Sequence, residues 1–352
     1  MNHILFSEEE LKKFIIQCFC KVGVPLDDSD KVADNLLKAE LWGISTHGIS
    51  RLSRYLMRIK NNTINPTPKI KVQKPWPALL TIDGDNGLGA AVMCKALDEA
   101  LQIADEFGIC AVGVNNSNHF GMAGFYCEIA AKKNYISIGL TNALAALAPW
   151  GGKKACLGTN PIAFGFPRKE QCPIIIDMAT SVVARGKIIS AAKKGIEIPE
   201  GWAMDQKGNI TTDPNEALMG MILPMAGPKG YALSMAVDLL SGIITNAQFG
   251  TEVAAYKNGE TKADVGHFFM IVKADAFISL DSYYDRIESF CQMIKNTDKI
   301  DGVSEIYLPG EREQNLEKRL RKEGIGLSSE IVQELEEISK AYGINLRSKN
   351  CR

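Results

Sequence analysis

Apolar residues recur at intervals of three and four from the start of the chain. Leu11, Phe14, Ile15 and Cys18 follow Ser7-Glu8-Glu9-Glu10. That quartet is a capping box, in which serine and glutamate satisfy the open N–H groups of a helix start. The spacing predicts a second helix over Asp30–Trp42, with Val32, Leu36, Leu37 and Leu41 facing inward and Gly43 as its stop. A third begins near Ser50 and carries Leu52, Tyr55, Leu56 and Ile59. Residues 1–75 therefore read as a helical layer, and the Pro-containing stretch Pro66–Pro77 as its connector. At Ala78 the pattern changes. Ala78–Ile82 reads as a strand, Ala90–Phe107 as a long helix, and Ile109–Val114 as a second strand. A polar loop, Asn115–Gly121, a helix over Met122–Lys133 and a strand over Tyr135–Leu140 follow.

Further strands are predicted at Ile162–Phe166, Ile174–Ile176 and Phe268–Val272, with helices at Val182–Lys194, Tyr231–Thr245 and Leu280–Met293. Gly195–Asn215 reads as loop. Tyr231–Thr245 is largely apolar all round, which predicts burial on most sides. Two charged helices, Glu311–Lys322 and Glu330–Tyr342, close the chain. The sum is an α/β fold. A central cofactor- and substrate-binding domain over 76–299 is flanked by a helical domain built from both chain ends, 1–75 packing with 300–352.

Charge and composition exclude several functions. Lys and Arg nearly balance Asp and Glu, for a net charge of −1, so no basic excess points to nucleic acid. No segment is long and apolar enough for a membrane span, and Met1–Phe6 lacks the plan of a signal peptide. Nine cysteines, an odd number, lie scattered with no CxxC. This predicts reduced thiols and a cytosolic protein, and gives no support to a thiolate metal site.

His47 and His119 stand in Gly-containing polar loops. Histidine titrates near neutral pH, and the His119 loop follows a buried strand, where open α/β sheets place ligands. Arg51 lies four residues after His47, and its planar fork matches a carboxylate. A hydrogen-bonded structural histidine and a polar helix–helix turn are the competing readings. Ala226-Gly227-Pro228-Lys229-Gly230 opens a helix, whose free N–H groups and dipole favour an anion. Gly158-Thr159-Asn160-Pro161, Asp177-Met178-Ala179 and Pro309-Gly310-Glu311 are weaker turn motifs. No GxGxxG follows a strand, which disfavours a Rossmann dinucleotide site. HExxH and GxSxG are missing too, leaving zinc and serine-nucleophile chemistry unsupported.

Taken in order, these motifs resemble the type 2 malate/L-lactate dehydrogenase family, which includes sulfolactate and ureidoglycolate enzymes. The resemblance covers nearly the whole chain. It rests on Ser45-Thr46-His47-Gly48 with Arg51, Asn116-Ser117-Asn118-His119-Phe120-Gly121, and Pro149-Trp150-Gly151-Gly152 with Gly158-Thr159-Asn160-Pro161. It continues in Asp177-Met178-Ala179, Gly227-Pro228-Lys229-Gly230-Tyr231 and Pro309-Gly310-Glu311. The resemblance implies a non-Rossmann mixed sheet, a nicotinamide cofactor, NAD with NADP possible, and a homodimer with sites near its interface. It implies cofactor contacts from Asp177, Met178, Ala179, Pro228, Lys229, Pro309, Gly310 and Glu311. His47 and His119 are then the catalytic pair, either of which could move the proton. Arg51, Tyr55 and Asn160 are assigned to the substrate. One departure is Ala143 after Thr141-Asn142, where relatives often carry serine.

The expected activity is a 2-hydroxyacid dehydrogenase, malate to oxaloacetate first. Lactate, sulfolactate or ureidoglycolate are the alternatives within the class. A non-catalytic dinucleotide sensor is the alternative outside it, and would bind dinucleotide without turnover.

Overall fold

The computed structural model describes residues 4–253 and 261–348. The chain begins with β1 (Ile4–Phe6), α1 (Glu8–Lys21), α2 (Leu26–Leu41) and α3 (Leu52–Lys60). The Ser7 hydroxyl accepts the Glu10 N–H at 3.2 Å, as the capping box predicts. The α/β centre then runs β2 (Lys71–Trp76), β3 (Leu79–Asp83), α4 (Gly89–Phe107), β4 (Ile109–Ser117), α5 (Ala123–Lys132), β5 (Tyr135–Thr141), β6 (Ile162–Phe166) and β7 (Ile174–Met178). A smaller unit follows: α6 (Arg185–Lys194), β8 (Ala203–Met204), β9 (Ile210–Thr211), α7 (Pro214–Met219) and β10 (Met221–Ile222). The chain returns through α8 (Pro228–Asp238), β11 (Val265–Lys273) and α9 (Leu280–Lys295), and ends in α10 (Glu311–Glu323), β12 (Ile325–Leu327) and α11 (Ser329–Tyr342).

Among the described residues, the main sheet has seven strands in the order β2-β3-β4-β11-β5-β6-β7. Only β3 and β4 pair in parallel; every other neighbour is antiparallel. A Rossmann sheet is built from parallel βαβ units, so this mixed sheet is the non-Rossmann architecture that the sequence implied. Its α4 face carries the main core, where Val92, Leu97, Val112, Val114 and Phe269 meet Phe14, Leu36 and Tyr126 from the helices. The two chain ends meet directly, since β1 pairs with β12 from Ile4↔Leu327 to Phe6↔Ile325.

Three expectations change. Pro66–Pro77 is no plain connector, because it contains the edge strand β2. Pro75 is tolerated there because it lies at a register shift between Gln73 and Trp76, on an edge with no outer partner to serve. Gly195–Asn215 contains the short strands β8 and β9. The apolar stretch Tyr231–Thr245 is also less buried than its composition predicts. Past α8 it continues as a π-helical turn, Leu239–Ile243, and leaves Met235, Leu239, Ile243 and Ile244 at 42–68% exposure. Periodicity reports apolarity and cannot tell a core face from a face that another molecule covers. The eight described cysteines are free thiols, five of them buried, and Cys351 lies outside the described residues. No helix among the described residues is long and apolar enough to cross a membrane.

A buried ion cluster joins the three parts of the chain. Lys38 of α2 contacts Glu128 of α5 at 2.9 Å and Glu317 of α10 at 2.9 Å, and the Trp42 indole N–H donates to Glu317 at 2.6 Å. Burial alone would push the Glu317 carboxyl up, but the bond and charge of Lys38, with Trp42 and Arg321, hold it below its usual range. Removing one partner of such a cluster strands the others in a poorly solvated site. Lys38→Met should therefore lower unfolding free energy by about 3 kcal/mol. Urea denaturation checks this, and a loss under ~1 kcal/mol would mean that Lys132 and Arg321 suffice for the two glutamates.

Candidate active site

Two segments bring imidazoles together. The first is the turn between α2 and α3, which is a pair of 3₁₀ turns, Ser45–His47 and Ile49–Arg51. It closes on itself: the Ser50 hydroxyl donates to Ser45 O at 2.7 Å and Arg51 Nε to Thr46 O at 2.5 Å. The Thr46 hydroxyl lies 3.0 Å from His47 Nδ1. The second segment is the end of β4. The strand runs to Ser117, further than Val114, because Asn115 stays in register with Asp83 and Ser117 with Val265. The chain leaves the sheet at Asn118, whose buried amide donates to Asn86 O at 3.1 Å and Gly87 O at 2.8 Å. The Tyr126 hydroxyl donates to Phe120 O. Gly121 has φ +81°, and a Cβ there would run into the Asn35 amide.

These anchors set His119 against His47. The rings stack at 5.4 Å between centroids, and the Tyr55 hydroxyl lies 2.6 Å from His119 Nδ1. Burial, and then the Arg51 cation, push the His47 imidazole down to about 3. Burial and Arg51 likewise hold His119 well below its usual value, with His47 adding to the effect. Burial pushes the Tyr55 phenol up to about 12 against the pull of Arg51 and Arg58. At neutral pH the site thus holds two neutral imidazoles and a protonated phenol beside a fixed cation.

Three of the eight expected cofactor residues line a second place in the fold. Asp177, Pro309 and Gly310 line a cavity of about 380 Å³ with Trp42, Ile44, Tyr307 and Glu313. Burial pushes the Asp177 carboxyl up to about 6 while the Gly124 N–H, 2.7 Å from it, pulls the other way. Backbone bonds tie the segments together. Ile175 N–H donates to Pro309 O at 3.2 Å, and Met225 N–H donates to Thr180 O at 2.9 Å. Through the second bond the Asp177–Ala179 strand end is held to the loop leading into α8, where Pro228 and Lys229 are exposed. Met178 is exposed as well. The Glu311 carboxylate is turned back on its own turn, accepting Leu308 N–H at 2.9 Å and pairing with Lys295 at 2.9 Å. Trp42 and Ile44 connect the two groups, since they lead directly into the His47 turn.

Asn160 is held by the backbone around it. It is fully buried, its carbonyl accepts Ala143 N–H at 3.0 Å and its amide donates to Ser234 O at 2.9 Å. Both ends serve the backbone, so the structure places it as a brace between the β5 exit and α8. Sequence reasoning passed over His267. It lies in β11 with Nδ1 2.8 Å from the Thr141 hydroxyl, Nε2 2.9 Å from the Ser117 hydroxyl, and its ring stacked on Phe120 at 4.4 Å. Thus it pins the strand end that carries His119. A single histidine in an apolar strand gives no signal that separates this role from plain core filling.

Residues 6–336 match the family described as malate/L-lactate dehydrogenase. The chain is 40% identical over 343 residues to L-sulfolactate dehydrogenase of Methanocaldococcus jannaschii, covering 97% of this chain and 98% of that protein. It is 40% identical to malate dehydrogenase of Pyrococcus horikoshii, at 97% of each. The crystal structure of malate dehydrogenase from Entamoeba histolytica aligns with a TM-score of 0.94 at 32% identity, over 98% of this chain and 99% of that one.

Burial pushes His267 down to about 3, from a usual 6.5. A histidine whose folded value is depressed adds stability above its unfolded value, and that stability drains away as pH falls toward the folded one. The stability advantage of wild type over His267→Gln should therefore shrink below pH 6.5, approaching about 1.4 kcal/mol per pH unit. Urea titrations of both proteins from pH 7 to pH 5 measure it; a constant gap would mean that His267 stays neutral in neither state or in both.

Proposed function

The chain belongs to the malate/L-lactate dehydrogenase family of 2-hydroxyacid dehydrogenases, and on that footing we propose that it interconverts malate and oxaloacetate with NAD. The observation that carries this reading is the meeting of His119, His47 and Tyr55 beside the Arg51 cation. Arg51 is the carboxylate clamp and His119 the proton acceptor on the substrate hydroxyl, with His47 orienting the substrate beside it. For Nε2 of His119 to accept a proton, Nδ1 must carry one, and the Tyr55 hydroxyl 2.6 Å away is placed to accept from it in that tautomer. The depressed basicity of His119 has a use. An arriving carboxylate offsets the Arg51 charge, so the imidazole becomes a better base only when an acid substrate is in place. In the reduction direction the same group returns its proton readily.

A dinucleotide fits the residues present. The cavity at Asp177, Pro309 and Gly310 is about 380 Å³, and Gly310, at φ +87°, leaves backbone bare where a Cβ would crowd Ile175. Lys229 sits at the start of α8, where N–H groups and the dipole favour a phosphate. Asp177, Met178, Ala179, Pro228, Lys229, Pro309, Gly310 and Glu311 would hold the group, which supplies the hydride acceptor at its nicotinamide. A sulfolactate substrate is the second reading, favoured by the 40% identity to the M. jannaschii enzyme. The free thiols support the cytosolic placement.

We also propose a homodimer that covers the apolar face of Met235, Leu239, Ile243 and Ile244, because a patch of this kind is seldom left in water. Leu239→Glu should convert the dimer to monomer in sedimentation velocity; a wild type that is monomeric at micromolar concentration rejects the dimer.

The deciding assay follows nicotinamide absorbance with NADH or NADPH and a panel of 2-oxoacids led by oxaloacetate and sulfopyruvate. Fastest loss with NADH and oxaloacetate supports the reading; loss only with sulfopyruvate moves it to the second, and dinucleotide binding without turnover to a sensor. Within that assay, His119→Ala should cut turnover by roughly 10²–10⁴-fold with dinucleotide affinity near normal. Arg51→Lys should weaken the acid far more than the cofactor, because lysine loses the fork. Equal weakening of both would reject the clamp.

A further inference from the structure

Glu40 sits in the last turn of α2 and is 6% exposed. Both facts count against a carboxylate. The last turn is the negative end of the helix dipole, and burial disfavours the ionised form. Burial does push the Glu40 carboxyl up, against two bonds that pull it down. Those two bonds offset part of the cost, and both go to the His47 turn.

One carboxylate oxygen accepts Ile49 N–H at 2.8 Å and the other accepts the Ser45 hydroxyl at 2.8 Å. The partners lie on either side of His47, and Arg51 follows two residues beyond Ile49. Gly48 crosses the carboxylate so closely that a Cβ there would overlap it. The side-chain bonds of Ser50 and Arg51 close the turn on itself and fix its shape. They do not fix where that shape sits on α2. The Ile44 N–H to Ala39 O bond holds the entry of the turn to the helix, and the Glu40 side chain ties down the part that carries His47; a glutamine would offer nearly the same reach.

We propose that Glu40 is a positioning residue that seats the His47–Arg51 turn against His119, so that imidazole and guanidinium face the acid substrate together. It acts through Ser45 and Ile49 and touches neither substrate nor cofactor. The proposal rests on the dehydrogenase reading for its kinetic test only. Trp42 and Ile44 line the dinucleotide cavity and residues 45–51 do not, so a loosened turn should harm the acid and spare the cofactor.

The test compares Glu40→Ala and Glu40→Gln in the full chain, with whichever 2-oxoacid the wild type reduces. Glu40→Ala should lower kcat/KM for the acid on the order of 10²-fold, as a displacement near 1 Å does at a reacting centre. NADH affinity, read from its fluorescence, should stay within about threefold. Glu40→Gln should recover most of the loss, since its carbonyl still accepts from Ile49 and its amide can donate to Ser45. Amide hydrogen exchange over 45–51 should quicken in Glu40→Ala and not in Glu40→Gln. Ser45→Ala removes one tie without opening a hole, and its intermediate loss serves if Glu40→Ala does not fold. The proposal is overturned if Glu40→Ala keeps its kcat/KM, if NADH affinity falls as far as the acid's, or if exchange over 45–51 is unchanged. A wild type that reduces no 2-oxoacid sinks the dehydrogenase reading instead, and the exchange measurement still decides whether Glu40 seats the turn.

Discussion

The cluster of Lys38 with Glu128 and Glu317 is the constraint around which the rest is arranged. One ammonium holds together the second helix of the chain, the helix that follows the His119 segment, and the helix that follows the Pro309–Glu311 turn. Three pieces far apart in sequence are thereby fixed in one register. A purely apolar contact could slide by a residue and remain apolar. Buried charges cannot, because each must find a partner or be left in a medium that solvates it poorly. Trp42, which also donates to Glu317, carries that register into the site, since it lines the cavity and leads into the His47 turn.

The site shows a second economy of charge. Two histidines, a tyrosine and an arginine share a small volume, and only the arginine is ionised. Keeping imidazoles neutral beside a cation is the natural state of such a cluster, because each added proton would face Arg51 and a neighbouring ring in a poorly hydrated place. A positive charge held beside neutral, poorly hydrated rings makes the electrostatics of the cluster asymmetric, and it is this asymmetry that the proposed clamp and base would use.

Much of this was legible in the residues. The helices and strands announced themselves through period and caps, as with Ser7-Glu8-Glu9-Glu10 and the run Ile109–Val114. The His47, His119 and Arg51 motifs were visible because polar residues in Gly-containing turns interrupt apolar runs. What escaped was of another kind. Glu40 and His267 look ordinary in a helix and a strand, since their meaning lies in partners that only the fold brings near. Asn160 stands in a turn motif that says nothing of its partners, and its carbonyl and amide are both bonded to backbone. The Pro66–Pro77 stretch hid an edge strand because proline masks strand character, and a shift in pairing there is not written in local composition. The apolar face after α8 was overread as core, because a sequence reports how greasy a surface is and not what lies on it.

The order of strands has a consequence for how the chain comes into being. β4 and β5 are close in sequence but are not neighbours in the sheet; β11, beginning at Val265, lies between them and bonds to both. As the ribosome releases the chain, the first part of the sheet must wait, with a gap one strand wide and two unpaired edges, until that late segment emerges. β1 waits longer still for β12. Distant pairings of this type slow folding and leave edges open to wrong partners. Synthesis of this protein therefore passes through a long interval in which most of the chain exists and its central layer cannot yet close.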